Sequence, residues 1–388
     1  MNEPSHVPRV THIAPQLPPA IDGVGDYCHN LWEHWPQPRP DWRFLACIAI
    51  QPARKLWAGD RLAGLQQSAE GIMAGLETAN TDIAVLHYVG FGYHLRGVPL
   101  WMTQGLTAWK RRYRGRRLVV MFHELYATGS VTKRSFWQQP WTRGLVRDLV
   151  RLADGWVTSC AAYEEKLLRE FRADPARGMV IPIGSNIPAS APVDFRRAPA
   201  ADGKLHGVVF GLASTRLRAL QEHRELLVAL ARDQRLQTVT LLGKQEKSSA
   251  SLARIAALRA DLDPGVAWEE RYDLEARAIS EILARQDFGL LSNSPETLTK
   301  SGVFAALLLH GVIAILPGGK GGELPAALRA SVLLDDPAAK TLAPLLEILE
   351  QPERSRQVRA GLEKLAATQL SWASITSKWQ TFMRRFEP

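Results

Sequence analysis

The sequence predicts an α/β protein built from two Rossmann-like domains, each with its own parallel sheet. Continuous Val, Ile and Leu runs alternate with longer helical patterns along most of the chain, which is typical of buried parallel strands in βαβ units. An aperiodic segment rich in Pro, Ala and Asp, residues 186–204, separates two such series. The length of 388 residues is also comfortable for two hydrophobic cores.

Ten apolar runs are the predicted strands, five on each side of that segment. The first five are RVTHIA (9–14), DIAVLHY (82–88), RLVVMF (117–122), GWVTS (155–159) and GMVIPI (178–183). The second five are LHGVVFG (205–211), QTVTLLG (237–243), DFGLLS (287–292), VIAIL (312–316) and SVLLDD (331–336). Helical patterns such as EHRELLVALARD and DLEARAISEILARQ lie between them. The order of elements therefore predicts a doubly wound sheet in each half.

The composition is that of an ordinary globular protein in a reducing compartment. Hydrophobic residues make up 46% of the chain and charged residues 22%. Cys28, Cys47 and Cys160 form no CxxC pair, which argues against a disulfide framework and a thiolate metal site. The first ten residues lack the apolar region of a signal peptide, and no apolar run reaches about 18 residues. We therefore expect a cytoplasmic protein without a transmembrane helix.

The positive charge is concentrated in residues 101–151. The whole chain has a formal net charge of +9, and this segment holds eleven Lys and Arg residues against two acids. Such a field favours an anionic partner, although a solvated basic face that aids solubility explains the charge equally well. The same region contains Trp101, Trp109, Phe136, Trp137 and Trp141. Aromatic and basic residues together suit a lipid interface, with core packing of the tryptophans as the alternative. No nucleic-acid-binding signature is present, so no nucleic-acid partner is expected.

Polar residues follow the strands in the first half, where ligands of parallel sheets bind. Gly23 and Gly25 lie between a predicted strand and a predicted helix start, where glycines allow backbone amides to approach a phosphate or sugar closely. A plain tight turn explains them equally well, because GxGxxG is absent. His123 follows VVMF and is placed to donate to a substrate hydroxyl or to stabilise charge. His87, His94 and His123 lack metal-ligand spacing, so we predict no metal site.

Cations follow the strands of the second half. Arg216 and Arg218 lie in ASTRLR, Lys244 follows LLG, and Lys300 follows Glu296 in LSNSPETLTKSGVFAA. Each one alone is typical of a surface charge. Because all of them follow strand ends, together they predict a site for a pyrophosphate, which needs neutralisation to act as a leaving group.

Several segments, spread over nearly the whole chain, resemble those of GT-B glycosyltransferases. These are PPAIDGVGDYCHNL, FHE, VIPIGSNIP, VVFGLAST, SPETLTKSGVFAALLLHGVIAI and LSWASITSKWQTFMRRF. Their order and spacing are most similar to the retaining family-4 group. The resemblance implies two Rossmann-like domains facing across a cleft. The boundaries would be an acceptor domain at 1–190, a linker at 191–204, a donor domain at 205–369, and a helix at 370–388 that crosses back to the first domain.

The resemblance also implies a reaction and roles for individual residues. A sugar would move from a nucleotide diphosphate sugar to a hydroxyl acceptor, with no metal or cofactor. Glu296 would contact the transferred sugar, while Lys300 and Ser301 would face the diphosphate and His123 would act where donor and acceptor meet. The second signature glutamate, which commonly holds the nucleotide ribose, is replaced by Phe304. Either Arg216 or Arg218 would match the usual cation after the first strand of the donor domain.

Other functions fit parts of this pattern. Phe304 in the signature is compatible with a non-catalytic nucleotide-sugar binder, and the fold also supports sugar-nucleotide epimerases. A phosphorylase of the glycogen type would need a pyridoxal lysine, for which the sequence offers no clear candidate. The basic, aromatic segment suggests a setting in cell-envelope or exopolysaccharide synthesis. There the protein would lie peripherally on the inner face of the membrane and act on a glycan or lipid-linked glycan.

Overall fold

The chain folds into two compact units, Met1–Pro182 with Trp372–Pro388, and Ile183–Ser371. The computed structural model describes residues 7–20, 22–47, 61–126, 134–195, 202–245, 247–261, 265–318, 324, 326–329, 332–335, 346–348 and 351–387. It describes the side chains of all of these except 134–136, 326 and 327. The helix that ends the chain therefore belongs to the first unit, while the polar loop around Glu296 belongs to the second.

Within the described residues, the first unit contains a parallel sheet of seven strands in the order β3-β2-β1-β4-β5-β6-β7. The strands are β1 Arg9–Ala14, β2 Asp41–Ala46, β3 Leu62–Gly64, β4 Ile83–Tyr88, β5 Arg117–Phe122, β6 Gly155–Thr158 and β7 Gly178–Val180. The helices are α1 Gly23–Glu33, α2 Ala69–Thr78, α3 Gly90–Tyr93, α4 Leu100–Arg112, α5 Arg134–Leu152 and α6 Ala161–Phe171. The strand order reverses between β1 and β4, which is the position where doubly wound sheets bind ligands.

The described part of the second unit contains a parallel sheet of six strands in the order β10-β9-β8-β11-β12-β13. The strands are β8 Leu205–Gly211, β9 Leu236–Gly243, β10 Ala267–Tyr272, β11 Phe288–Leu290, β12 Ile313–Pro317 and β13 Val332–Asp335. The helices are α7 Ala213–Glu222, α8 Arg224–Arg232, α9 Ser249–Ala260, α10 Ala276–Leu283, α11 Gly302–Leu309, α12 Ala326–Arg329 and α13 Pro352–Leu365. Here the strand order reverses between β8 and β11, and a π-helical turn at Ala366–Leu370 precedes the last helix, α14 Trp372–Met383.

The ten predicted strands are confirmed, with ends that differ by at most a few residues. Strands β2, β3 and β10 were not predicted. β2 and β10 carry charged residues within DWRFLA and AWEERY, and β3 has only three residues at the edge of its sheet. The central strands are long apolar runs because helices cover both faces of a parallel sheet, so their side chains are buried on both sides.

Gly25 fixes how closely α1 approaches the loop that follows β1. A Cβ atom at Gly25 would lie 2.6 Å from the carbonyl oxygen of Gln16 and 3.1 Å from Leu17 Cα, whereas a Cβ at Gly23 would have no neighbour within 4 Å. The obstructing atoms are backbone, which cannot rotate away. The close packing therefore accounts for Gly25, while Gly23 is sterically open.

We expect Gly25→Ala to lower the thermal unfolding midpoint by several degrees, because overpacking costs about 1–3 kcal/mol. Gly23→Ala is the matched control: it adds the same methyl group to the same helix without a contact, and alanine favours the helix. Thermal unfolding followed by circular dichroism measures both variants. Equal midpoints for the two variants would contradict the packing argument.

Candidate functional site

Three histidines converge at the carboxyl end of the first sheet. His12 lies in β1, His87 lies in β4 and His123 follows β5, and these strands are neighbours. His12 Nδ1 is 2.9 Å from His87 Nε2, and His87 Nδ1 is 3.1 Å from His123 Nε2. Sequence analysis selected only His123. A polar residue inside an otherwise apolar buried strand is the signal that could have identified the other two.

His12 and His87 are neutral at neutral pH. Burial lowers the pKa of His87 to about 3. Burial, and secondarily the neighbouring His87, lowers the pKa of His12 well below its ordinary value. Both pKa values lie below that of an unfolded histidine, about 6.5. Their contribution to stability is therefore complete above that pH and is lost as the pH falls toward the folded-state values. His123, by contrast, is only partly buried.

Tyr27 of α1 forms one wall of the histidine cluster. Its ring centroid is 6.0 Å from that of His87 and 5.2 Å from that of His123, in edge-on geometry. Trp379 of α14 donates its Nε1–H to the Tyr27 hydroxyl at 2.6 Å, and both side chains are buried. The last helix of the chain thus supports the residue that packs against His123. Nothing in the sequence pattern identified Tyr27.

The start of α1 already holds a carboxylate from the chain itself. Asp22 is the N-cap, and its Oδ2 accepts a hydrogen bond from the Gly25 amide at 3.0 Å. Burial raises the pKa of Asp22, and hydrogen bonds from the amides of Gly25 and Val24 oppose that rise. An anionic ligand at this helix start would compete with Asp22. The role of Gly23 and Gly25 in donor binding stays a prediction.

Arg216 ties together the ends of two strands in the second unit. Its side chain is buried and donates to the carbonyl oxygens of Gly211 at the end of β8 and of Leu242 and Lys244 around the end of β9. Its guanidinium also lies 4.9 Å from the ring centroid of Tyr272. The guanidinium donates to backbone carbonyl oxygens, so Arg216 stabilises the conformation of the loops that follow β8 and β9.

The other predicted cations of the second unit are more accessible. Arg218, two residues after Arg216 on α7, is exposed. Lys244 is exposed and forms an ion pair with Asp273 at 3.0 Å. Lys300 is half-buried at the end of a 3₁₀ helix over Pro295–Lys300. An exposed lysine paired with an exposed aspartate exchanges partners readily, because such ion pairs contribute little free energy.

The polar loop at 292–301 follows β11 and ends at the start of α11. Ser301 is the N-cap of α11, and its Oγ accepts from the Phe304 amide at 3.2 Å. Glu296 is exposed, and within the described part of the chain its carboxylate has no hydrogen-bond or ion-pair partner. The backbone of the loop is fixed by the Ile183 amide, which donates to the Thr299 carbonyl at 2.9 Å. A free carboxylate on a fixed backbone is suited to accept hydrogen bonds from sugar hydroxyls.

A buried histidine supports the start of this loop, and sequence analysis missed it. His223 Nε2 lies 2.9 Å from the carbonyl oxygen of Leu291, and Nδ1 lies 2.7 Å from Asp335 Oδ2. Because a carbonyl oxygen only accepts, Nε2 carries a proton. The residue that precedes the loop is therefore anchored to His223, the C-cap of α7, and His223 also contacts the end of β13.

Phe304 is part of the hydrophobic core. It is fully buried in α11, whose middle positions are all apolar and buried. A side chain at this position points into the core and not toward the strand-end loops. Gly211, at the end of β8, lies near the preceding residue of α11, since a Cβ atom at Gly211 would lie 3.3 Å from Val303 Cγ2. The start of α11 and the end of β8 are thus close together.

The described residues include neither a metal-ligand cluster nor a membrane-spanning helix. No group of three or more His, Cys, Asp or Glu side chains among them is arranged to hold a metal ion. No helix in the same ranges combines the length and apolar character needed to cross a bilayer.

Solved structures resemble this chain along its whole length, although no protein-family model and no curated protein matches its sequence. A glycosyltransferase from Rickettsia africae superposes with a TM-score of 0.64 at 11% identity, covering 97% of this chain and 98% of its own. Sucrose-phosphate synthase from Thermosynechococcus elongatus gives a TM-score of 0.64 at 16% identity, with 97% and 98% coverage. A proposed UDP-N-acetylglucosamine 2-epimerase from Listeria monocytogenes gives 0.61 at 13% identity, with 98% and 96% coverage.

At these identities the likeness establishes the fold, and the resemblance to family 4 stays a prediction. Both sheets are parallel and doubly wound, as sequence analysis predicted. The protein has the GT-B fold, with two Rossmann-like domains.

Proposed function

We propose that the protein is a retaining glycosyltransferase that moves a sugar from a nucleotide diphosphate sugar to a hydroxyl acceptor. The observation that carries the proposal is the loop 292–301 of the second unit. It offers an unpaired carboxylate, Glu296, and a cation, Lys300, next to the start of α11. It follows β11, which borders the point where the strand order reverses, the place where doubly wound sheets bind ligands.

The charges of this loop suit a diphosphate leaving group. When the bond between the anomeric carbon and the phosphate oxygen breaks, negative charge develops on the nucleoside diphosphate. Lys300 supplies a positive charge, and the first amides of α11, at Gly302 and Val303, have no partner within the helix. Exposed Arg218 on α7 and exposed Lys244 after β9 add to the field. Positioned cations and amides can stabilise such a charge, so the proposed reaction requires no metal ion or cofactor.

The remaining roles follow from side-chain chemistry. Glu296 accepts hydrogen bonds from hydroxyls of the transferred sugar, and His123 of the first unit donates to the reacting sugar or its acceptor. The ribose contact that a second glutamate makes in related enzymes comes from elsewhere, because Phe304 is buried in the core. The sugar-transfer step itself does not involve the ribose.

A sugar-nucleotide epimerase is the second candidate. The similarity to a proposed UDP-N-acetylglucosamine 2-epimerase favours it. Incubation with a donor and no acceptor separates the two: an epimerase converts the donor to an isomer, whereas a transferase needs an acceptor to form product. Binding without turnover across a broad acceptor panel would favour the third candidate, a non-catalytic nucleotide-sugar binder.

We further propose that the first unit docks peripherally on an anionic membrane surface in envelope or exopolysaccharide synthesis, with a lipid-linked glycan as acceptor. Trp137 and Trp141 of α5 are 70% and 64% exposed and lie four residues apart, so they share one helix face. Trp109 is fully buried in the core, and Trp101 is partly buried and packs against Tyr93 at the edge of that core. The side chain of Phe136 lies outside the described residues. Exposed tryptophans beside cations are typical of membrane interfaces.

We expect Glu296→Gln to lose most sugar transfer while keeping its affinity for the nucleoside diphosphate. The amide is isosteric but is a poorer acceptor from sugar hydroxyls. Glu281→Gln, at an exposed position on α10 that pairs with Arg277, is the control. Transfer is measured by nucleotide release, and affinity for UDP, GDP and ADP by calorimetry. The assigned role of Glu296 is wrong if affinity for all three nucleotides disappears from a folded variant.

We expect Lys300→Ala to weaken nucleoside diphosphate binding by about tenfold or more, because a charge-assisted contact contributes about 1.5–3 kcal/mol. Affinity for the free nucleoside, which lacks phosphates, stays unchanged. Lys364→Ala, an exposed change on α13, is the control. An equal loss of affinity for nucleoside and nucleoside diphosphate would place Lys300 away from the phosphates.

We expect salt-sensitive binding to anionic vesicles and little binding to neutral ones, since each basic residue near an anionic leaflet contributes about 1 kcal/mol. Arg112, Arg116 and Arg117 contact Glu77, Asn80 and Asp154, so the test uses Arg111→Gln with Arg114→Gln. That double variant reduces the salt-sensitive part, and Trp137→Ser with Trp141→Ser reduces the salt-resistant part. Equal co-sedimentation with both vesicle types at low salt, or with neither, would refute membrane docking.

A further inference from the structure

The carbonyl oxygen of Leu291 lacks the partner that a parallel sheet would give it. β11 and β12 are in parallel register, with Leu290 opposite Ile315, and the Leu291 amide donates to the Ile315 carbonyl at 2.9 Å. The evenly spaced ladder of a parallel pair would then place the amide of residue 317 at the Leu291 carbonyl. Residue 317 is a proline, which has no N–H to donate. The ladder therefore ends here with an acceptor that needs a donor from elsewhere.

His223 supplies that donor. Its Nε2 lies 2.9 Å from the Leu291 carbonyl oxygen, and both residues are buried. A buried carbonyl without a partner is costly and can only accept, so Nε2 carries a proton. A tautomer with a lone pair on Nε2 would bring two acceptors together and leave the carbonyl unpaired. A side chain thus replaces the backbone donor at the point where Pro317 interrupts the ladder.

The second nitrogen of the ring needs a proton as well. His223 Nδ1 lies 2.7 Å from Asp335 Oδ2, and both side chains are buried. A lone pair on Nδ1 opposite a carboxylate oxygen would be repulsive at this distance, so one proton lies between the two atoms. A neutral imidazole and a carboxylate hold one proton together, whereas the two bonds of His223 require two. The geometry therefore demands one additional proton.

The additional proton can rest on the ring or on the carboxyl group. An isolated imidazole binds a proton about 400-fold more tightly than an isolated aspartate carboxylate, because their ordinary pKa values are about 6.5 and 3.9. The end of α7 favours a cation on His223 and the start of α8 disfavours it, so the two helices oppose each other. Glu222 and Arg224 flank the residue in the chain, and Arg224 pairs with Asp261 at the surface. Since no other ionisable side chain in the described ranges pairs with the ring, Asp335 is the charge that favours an imidazolium.

We propose that His223 is a positioning residue, protonated at both ring nitrogens and held by the Asp335 carboxylate, that fixes Leu291 at the start of the polar loop 292–301. Loss of the additional proton would turn one of its two bonds into a contact between acceptors, so the anchor depends on the charged ring. Glu296, five residues after Leu291, is then presented on a fixed backbone. Its use on a sugar rests on the proposed transferase function, but the protonation and the anchor do not.

Long-range ¹H–¹⁵N spectra of the ¹⁵N-histidine-labelled, unliganded full chain at pH 7.5 test the protonation state. Protonated ring nitrogens have pyrrole-like shifts, and unprotonated ones have pyridine-like shifts. The chain has 10 histidines, and the His223 signals are those that His223→Asn removes. An ordinary histidine is only about 10% doubly protonated at this pH. The expected result for His223 is two pyrrole-like nitrogens, and a pyridine-like shift on either one overturns the proposal.

Asp335→Asn tests the source of the second proton. The asparagine amide can donate to a lone pair on His223 Nδ1, so the ring no longer needs a charge to satisfy both partners. We expect Nδ1 to become pyridine-like in this variant while Nε2 stays pyrrole-like and keeps its bond to Leu291. Two pyrrole-like nitrogens in folded Asp335→Asn would show that the carboxylate does not hold the charge.

His223→Gln and His223→Asn form a matched pair that tests the anchor. The amide nitrogen of glutamine can take the place of Nε2, and that of asparagine the place of Nδ1. Glutamine therefore keeps the donor for Leu291, whereas asparagine keeps only the donor for Asp335. Hydrogen exchange in peptides that cover residues 291–301 is expected to be about tenfold faster in His223→Asn, because a hydrogen bond that opposes opening is lost, and closer to wild type in His223→Gln. Equal exchange in all three folded proteins would refute the anchor. Where a variant fails to fold, the wild-type spectrum still decides the protonation state.

No donor or acceptor enters the spectra or the exchange measurements, so their outcome is independent of the transfer assays. If both agree with the proposal and no transfer is found, the proposed function fails while the anchor stands. If wild type transfers sugar and His223→Asn does so at the same rate despite faster exchange in the loop, His223 is not a positioning residue for the reaction.

Discussion

The burial of both sheets on both faces is the constraint on which the rest of the structure depends. A parallel strand covered by helices on each side has no place for an unpaired polar side chain. Polar chemistry is therefore confined to the strand ends, and the strand order opens space where it reverses, between β1 and β4 and between β8 and β11. In the second unit, Glu296, Lys300 and the start of α11 all follow from this constraint.

The histidine chain shows what the same constraint demands of polar groups that enter a sheet. His12 and His87 lie in strands where nearly every neighbour is apolar. His12 Nδ1 and both nitrogens of His87 lie within hydrogen-bond distance of a neighbouring imidazole, which lowers the cost of burying these rings. Because the three rings are hydrogen-bonded in series, the tautomer of one neutral ring restricts the tautomer of the next. The low polarity that lowers the pKa of His87 to about 3 also makes an unpaired nitrogen expensive.

The sequence allowed prediction of the features that depend on local pattern. Short-range periodicity predicts the ten apolar runs and the two doubly wound sheets. It also predicts that Glu296, Lys300 and Ser301 follow a strand. Strands β2, β3 and β10 were not predicted, because short edge strands and strands with charged residues lack a continuous apolar run. The contacts of Arg216, Tyr27 and His223 could not be predicted, since each depends on residues distant in the sequence. Pattern likewise could not separate buried Trp109 from exposed Trp137 and Trp141.

Phe304 illustrates how one face of a short helix can restrict a binding site. α11 has eight residues, and its buried face fills the core of the second unit. A carboxylate at position 304 in this packing would be buried without a partner, which is strongly unfavourable. Here α11 can serve a ligand only through its N-terminus, where backbone amides and the Ser301 cap are located. Diphosphate recognition by amides and recognition of sugar hydroxyls by Glu296 are compatible with that packing. A ribose contact from the middle of α11 is not, so any such contact must come from outside that part of the helix.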